Sequence, residues 1–168
     1  GNICAGLLAF HSGLPVKHFI AACNANAVIP DFLMTGEYKP AKAKATLSNA
    51  MDVGDPSNFV RILELFNHQF LPLKEVMSSE SISDGQTIET IRATYENEHY
   101  LLDPHGAVGY LALNRFLQKN PGSAGLFLET AHPVKFYDTV EKVTGKPVPV
   151  PDAVKALVNS RKFAVQME

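Results

Sequence analysis

Within its first 36 residues the chain changes hydrophobic period twice, and this constrains its fold more than any other feature. Ile3, Leu7 and Leu8 fall at helical spacing, with Phe10 extending the apolar surface, and Ser12-Gly13 closes that helix before Pro15. Val16 to Cys23 is a short β-type run. Val28 to Met34 then resumes helical spacing and stops near Gly36. Turn, helix, strand and helix in this order is the rhythm of an α/β protein with a parallel sheet, not of a bundle or a sandwich.

The remainder continues in the same style. Glu37 to Ala45 is a Pro/Lys/Ala connector, and Thr46 to Phe59 is polar and turn-rich. Asp55-Pro56-Ser57-Asn58 launches a helix through Val60, Ile62, Leu63, Leu65 and Phe66. Ser83-Asp84-Gly85 caps a helix running to about Glu96. Asp103-Pro104 repeats that logic, with Asp as the cap and Pro at the first helical position of a helix over His105–Lys119. Leu126-Phe127-Leu128 reads as a short apolar strand, followed by Thr130-Ala131-His132-Pro133 and a helix over Val134–Val143. Gly145 to Pro151 carries three prolines and reads as a linker, followed by a short helix and a polar tail.

A length of 168 residues suits one globular domain with a sizeable core. A net charge of −2 with no basic stripe gives no sign of nucleic-acid binding. Lys39, Lys42 and Lys44, spaced by Ala and Pro, read as a solvated loop. The two cysteines, Cys4 and Cys23, form no disulfide framework or metal site, so no metal is expected. Both read as small buried hydrophobes in a reducing, cytoplasmic setting. No apolar run approaches the ~18 residues of a membrane span.

In open parallel sheets, ligands bind at the carboxyl ends of strands. Asn24-Ala25-Asn26 and Thr130-Ala131-His132 are predicted there, and Gly1-Asn2 opens a helix whose free N–H groups suit an anion. The same loops also read as ordinary capping turns. The abrupt opening on Gly1-Asn2 suggests a piece of a larger protein.

Three segments resemble the threonine synthase family. They are Leu14–Asn24 (LPVKHFIAACN), Ala45–Gly54 (ATLSNAMDVG) and Gly125–Phe136 (GLFLETAHPVKF). The likeness runs from Gly1 to about Gly145. It implies the C-terminal part of a tryptophan synthase β-like (type II) pyridoxal-phosphate enzyme, a mainly parallel sheet flanked by helices. On this basis residues 1–145 form the C-terminal part of the cofactor-binding α/β domain, with a family-specific segment at 37–100. Residues 146–168 form a linker and tail. The implied reaction is O-phospho-L-homoserine plus water giving L-threonine and phosphate. The cofactor's Schiff-base lysine is implied to lie upstream of Gly1, so no lysine here is given that role and the chain alone is expected to be inactive.

The resemblance makes Gly1 and Asn2 the end of a cofactor-phosphate loop. It makes Thr130 the hydroxyl that bonds the pyridine nitrogen. Taken alone, Thr130 also reads as a strand end or helix cap. Ser48, Asn49, Met51 and Asp52 belong to a family motif expected to border the substrate cleft, with Asn24 and Asn26 as similar candidates. The family commonly carries Asp after the second Asn, where this chain has Ala27. Asp103 matches an acidic position near the cofactor ring, although an N-cap is its simpler role. His105 is a supporting candidate. His132 precedes Pro133, which favours an extended backbone and a structural turn. The expected partners are the substrate, the missing N-terminal half and, through a truncation face, further copies of the chain. Two other readings stay open: a non-catalytic α/β module that binds phosphate-bearing ligands, and a serine/threonine dehydratase or cysteine synthase type of enzyme.

Overall fold

In the computed structural model the described residues are 2–158 and Ser160. Gly1, expected in a cofactor-phosphate loop, and most of the polar tail therefore lie outside the described residues. Two strands, β1 (Phe19–Cys23) and β2 (Met77–Ser81), pair in parallel, with Phe19 opposite Met77 and Cys23 opposite Ser81. Parallel neighbours need a long crossover, and here it contains α2 (Val28–Thr35), a 3-10 turn (Asn49–Met51), α3 (Phe59–Leu65) and α4 (Phe70–Val76). α1 (Asn2–His11) precedes the sheet. After it come α5 (Asp84–Glu98), α6 (Pro104–Lys119), a 3-10 turn (Pro133–Phe136), α7 (Tyr137–Thr144) and α8 (Asp152–Val158).

Strand alternation divides the core. Ala21 and Met77 join Leu7, Phe32, Leu33, Phe59, Ile62, Phe66 and Leu73 from α1–α4 and the residue closing α3, with Phe19 packed alongside. Ile20 and Ala22 face the other way, onto Ile82 and onto Val108 and Ala112 of α6. Helices therefore cover both faces of the sheet. A third cluster, Ile91, Leu102 and Ala107, joins α5 to α6.

Local signals set the starts of α5 and α6. Ser83 and Gln86 form a reciprocal capping box at α5, and the Asp103 carboxylate accepts from the His105 N–H at α6, with Pro104 in the first turn. α3 stops where Asn67 and His68 take left-handed backbone (φ 49° and 56°), and α4 starts anew at Phe70.

Two sequence expectations need correction. Leu126–Leu128 is not a strand: it joins no ladder among the described residues, and Leu126 and Leu128 are 79% and 58% exposed. The second strand is instead Met77–Ser81, a mostly polar run whose only buried side chain is Met77. The helix expected over 134–143 is a 3-10 turn at 133–136 followed by α7 at 137–144.

Candidate functional site

Polar side chains gather at the carboxyl ends of both strands, where a parallel α/β sheet places its ligand sites. Asn24, directly after β1, is 1% exposed. Its amide nitrogen reaches Thr46 Oγ1 (2.8 Å), Asp52 Oδ1 (2.8 Å), and the Oγ (3.2 Å) and carbonyl (3.3 Å) of Ser48. Its carbonyl accepts from Ser81 Oγ at 2.8 Å, which ties the ends of the two strands together. Asn24 Oδ1 accepts from the backbone N–H of Asn26 at 2.9 Å. Asn26 pairs with Lys44 like a strand neighbour: its Oδ1 accepts from the Lys44 N–H (2.7 Å) and its amide donates to the Lys44 carbonyl (2.9 Å).

Asp52 closes this network. Burial works against its charge, but the Thr46 hydroxyl (2.7 Å), the Thr46 N–H (2.9 Å) and the Asn24 amide hold its carboxyl below the ordinary range. Leu47 N–H reaches Asp84 Oδ1 at 3.1 Å, and Ala50 N–H reaches His105 Nε2 at 3.1 Å, so the 44–52 loop is also fastened to α5 and α6. Farther along, Ala41 N–H donates to the Gly54 carbonyl at 2.9 Å. A Cβ at position 54 would lie 1.8 Å from the Ala41 carbonyl oxygen, so only glycine permits that approach.

A second cluster sits at the start of α6. Asp103 is fully buried, and its Oδ1 accepts from the His105 N–H (2.8 Å) and from His105 Nδ1 (2.7 Å). Because His105 Nε2 accepts from Ala50, the neutral ring carries its proton on Nδ1. Burial opposes the Asp103 charge, and the hydrogen bonds from His105 outweigh it and lower its pKa. Glu129 lies within hydrogen-bonding reach of Asp103. Burial, with the Asp103 carboxyl beside it, pushes Glu129 up to about 8.

Beyond Glu129 opens a cavity of about 740 Å³, lined by Tyr100, Leu101, Glu129–Pro133, Lys135 and Val148–Pro151. Thr130 is exposed at its wall, and its hydroxyl makes no hydrogen bond among the described residues. His132 also lines it, but its Nδ1 accepts from the Val134 N–H at 3.1 Å and caps the 3-10 turn, the structural role its Pro133 neighbour suggests.

The sequence candidates thus separate by position. Asn24, Asn26, Ser48 and Asp52 are joined in one network directed mainly at each other. Asn49 is exposed, and Met51 packs against the Ile82–Val108–Ala112 cluster. Asp103 and His105 form the bridge to the 44–52 loop. Thr130 and His132 stand at the cavity, and Asn2 is an exposed residue at the start of α1. Sequence reasoning passed over Thr46, Asp84 and Glu129. The only visible signal for Glu129 was a carboxylate set between Leu128 and Thr130.

Both cysteines are free, and burial raises the Cys23 thiol to about 12. No helix among the described residues is long and apolar enough to cross a membrane.

Comparison with known proteins gives a consistent result. The family profile described as threonine synthase, C-terminal, matches residues 106–168. Threonine synthase of Serratia marcescens is 47% identical over 92% of this chain, and that of Escherichia coli (strain K12) 47% over 90%. The chain spans about a third of these relatives, 35% and 34% of their lengths. The crystal structure of threonine synthase from Escherichia coli superposes with a TM-score of 0.86 at 44% identity, over 94% of this chain and 36% of that one. A PLP-bound threonine synthase from Brucella melitensis gives 0.82 at 25% identity, over 96% of this chain and 39% of that one. With 92% of the chain aligned to a relative at 47% identity and 94% of it superposed in fold, this chain belongs to the threonine synthase family.

Proposed function

We propose that this chain is the C-terminal third of a threonine synthase that uses pyridoxal phosphate to convert O-phospho-L-homoserine and water into L-threonine and phosphate. Thr130 carries the reading: an exposed hydroxyl without an internal partner, at the wall of a roughly 740 Å³ cavity, in a chain that matches threonine synthases along nearly its whole length. Thr130 has a free donor for a ring nitrogen, and the adjacent carboxylate, Glu129, has its oxygens buried away from the opening. A hydroxyl there leaves the nitrogen uncharged, whereas a carboxylate would favour its protonation. The residues fit. Bound there, pyridoxal phosphate supplies the electron sink for the reaction.

The chain's own residues bind and orient. The opening turn of α1, from Asn2 onward, has N–H groups without intrahelical partners, and these would meet the cofactor phosphate; Gly1, assigned to the same loop, lies outside the described residues. Asn24, Asn26, Thr46, Ser48 and Asp52 hold the 44–52 loop in one shape, and the exposed Asn49 faces outward from it. Asp103 and His105 fix that loop relative to α6. The lysine that anchors the cofactor is assigned to the part of the enzyme upstream of Gly1, and the two unpaired cysteines support a cytoplasmic setting.

The test is threonine and phosphate formation by the full-length enzyme loaded with pyridoxal phosphate. Thr130→Ser should keep most of the rate. Thr130→Val should lose up to about tenfold, the worth of one net hydrogen bond. The 168-residue chain alone should show neither turnover nor the visible absorbance of a lysine-bound cofactor. Robust turnover by the isolated chain would overturn the proposed division of labour. A preference for nucleotides over pyridoxal phosphate would overturn the enzyme assignment in favour of a binding module.

A further inference from the structure

We infer that Glu129 is a positioning residue: as a neutral carboxylic acid it donates a hydrogen bond to Asp103 and locks the loop carrying Thr130 onto the first turn of α6. Three buried acceptor oxygens meet here without a donor: Asp103 Oδ2 and both oxygens of Glu129. Two carboxylates in contact in a buried place cannot both be charged without a large cost, and one proton between them turns one acceptor into a donor. Asp103 already has two N–H donors from His105 on Oδ1, which stabilise its charge. Glu129 has none, so the proton belongs to Glu129.

The close fit depends on Gly106. A Cβ at that position would lie 2.1 Å from Glu129 Oε2, so the carboxyl rests directly against the α6 backbone. The bonds then converge on Asp103 from both sides. Glu129 donates to Asp103 Oδ2, His105 Nδ1 donates to Asp103 Oδ1, and Ala50 N–H donates to His105 Nε2. One chain of hydrogen bonds thereby joins the Thr130 loop to the 44–52 loop. The charged and titratable groups around it are Asp103 and His105 at the start of α6, Asp52 from the loop beside His105, and Tyr100, His132 and Lys135 on the cavity wall. That this clamp serves a cofactor-binding Thr130 rests on the function proposed above; the clamp itself does not.

The test uses the intact, cofactor-free protein. Infrared difference spectra against Glu129→Gln should show a protonated-carboxyl band that disappears as pH rises through about 8. Backbone order parameters at 129–132 should stay high in Glu129→Gln, whose amide can still donate to Asp103. They should fall below about 0.6 in Glu129→Ala. If the alanine variant fails to fold, Gly106→Ala displaces the same carboxyl, and loss of the band is then the expected result. Absence of the band in the parent protein, or unchanged order parameters once the carboxyl is removed or displaced, overturns the inference. Because these readouts need no cofactor, a protein with the band and the ordered loop but no threonine formation overturns only the proposed activity.

Discussion

Asn24 shows how a single side chain can decide the shape of a loop. Its amide serves acceptors on Thr46, Ser48 and Asp52, and its Oδ1 holds the Asn26 N–H. Removal leaves several buried groups unsatisfied, so Asn24→Ala should cost about 2–4 kcal/mol, read from urea unfolding midpoints. Asp52 and Glu129 should give opposite pH dependences. The folded pKa of Asp52 lies below its ordinary value of 3.8, so the unfolded chain binds more protons in that range. Its contribution is present above the ordinary value and is lost as pH falls through the folded one. Asp52→Asn should therefore flatten the acid limb of the stability curve. The Glu129 pKa rises from 4.5 to about 8, so the folded state binds the extra proton between those values. Stability from this group falls as pH rises across that window. Glu129→Gln should remove this slope and gain on the parent protein toward pH 8, measured by thermal unfolding at a series of pH values.

At the scale of the element, what was legible in the sequence had a local cause. The α5 capping box needs only Ser83 and Gln86, and the α6 start only Asp103 and Pro104, so both could be placed from neighbouring residues. Ser83→Ala should accordingly cost about 1 kcal/mol, with faster amide exchange confined to the first turn of α5. Strands need distant partners: β1 was legible within the Val16–Cys23 run, but the second strand was misplaced in both directions. Met77–Ser81 has little apolar pattern, yet it pairs with β1 along its full length. Leu126–Leu128 has the composition of a strand and no ladder partner among the described residues. The site divides in the same way. Thr130 is a candidate through the family resemblance of its Glu-Thr-Ala-His-Pro context, whereas the place of Glu129 depends on Gly106 and Asp103, which are distant in sequence. Gly54→Ala extends the point to the loop. Its Cβ would meet backbone, which cannot rotate away as a side chain can, so the 41–54 contact must open. A loss of about 1–3 kcal/mol is expected in the same urea measurement.

Across the whole molecule, the exposed apolar side chains are placed as if for a covering surface. Leu126 and Leu128 stand out on a segment with no ladder, and a separate groove of about 380 Å³ runs between α1 and α3 beside Cys4, Leu8, Val60 and Leu65. An extended apolar segment with free backbone groups invites pairing with another chain, and an open apolar groove invites packing. We therefore predict that the 168-residue chain self-associates when prepared alone. Sedimentation velocity across a dilution series should show a weight-average mass that rises with concentration. Leu126→Ser combined with Leu128→Ser should shift that curve toward the monomer, and Leu8→Ser should shift it independently if the groove contributes. These residues are already exposed, so each change should alter the unfolding midpoint by less than about 0.5 kcal/mol and keep association separate from stability. A chain that sediments as one monomeric species at every concentration would show that these surfaces do not drive association.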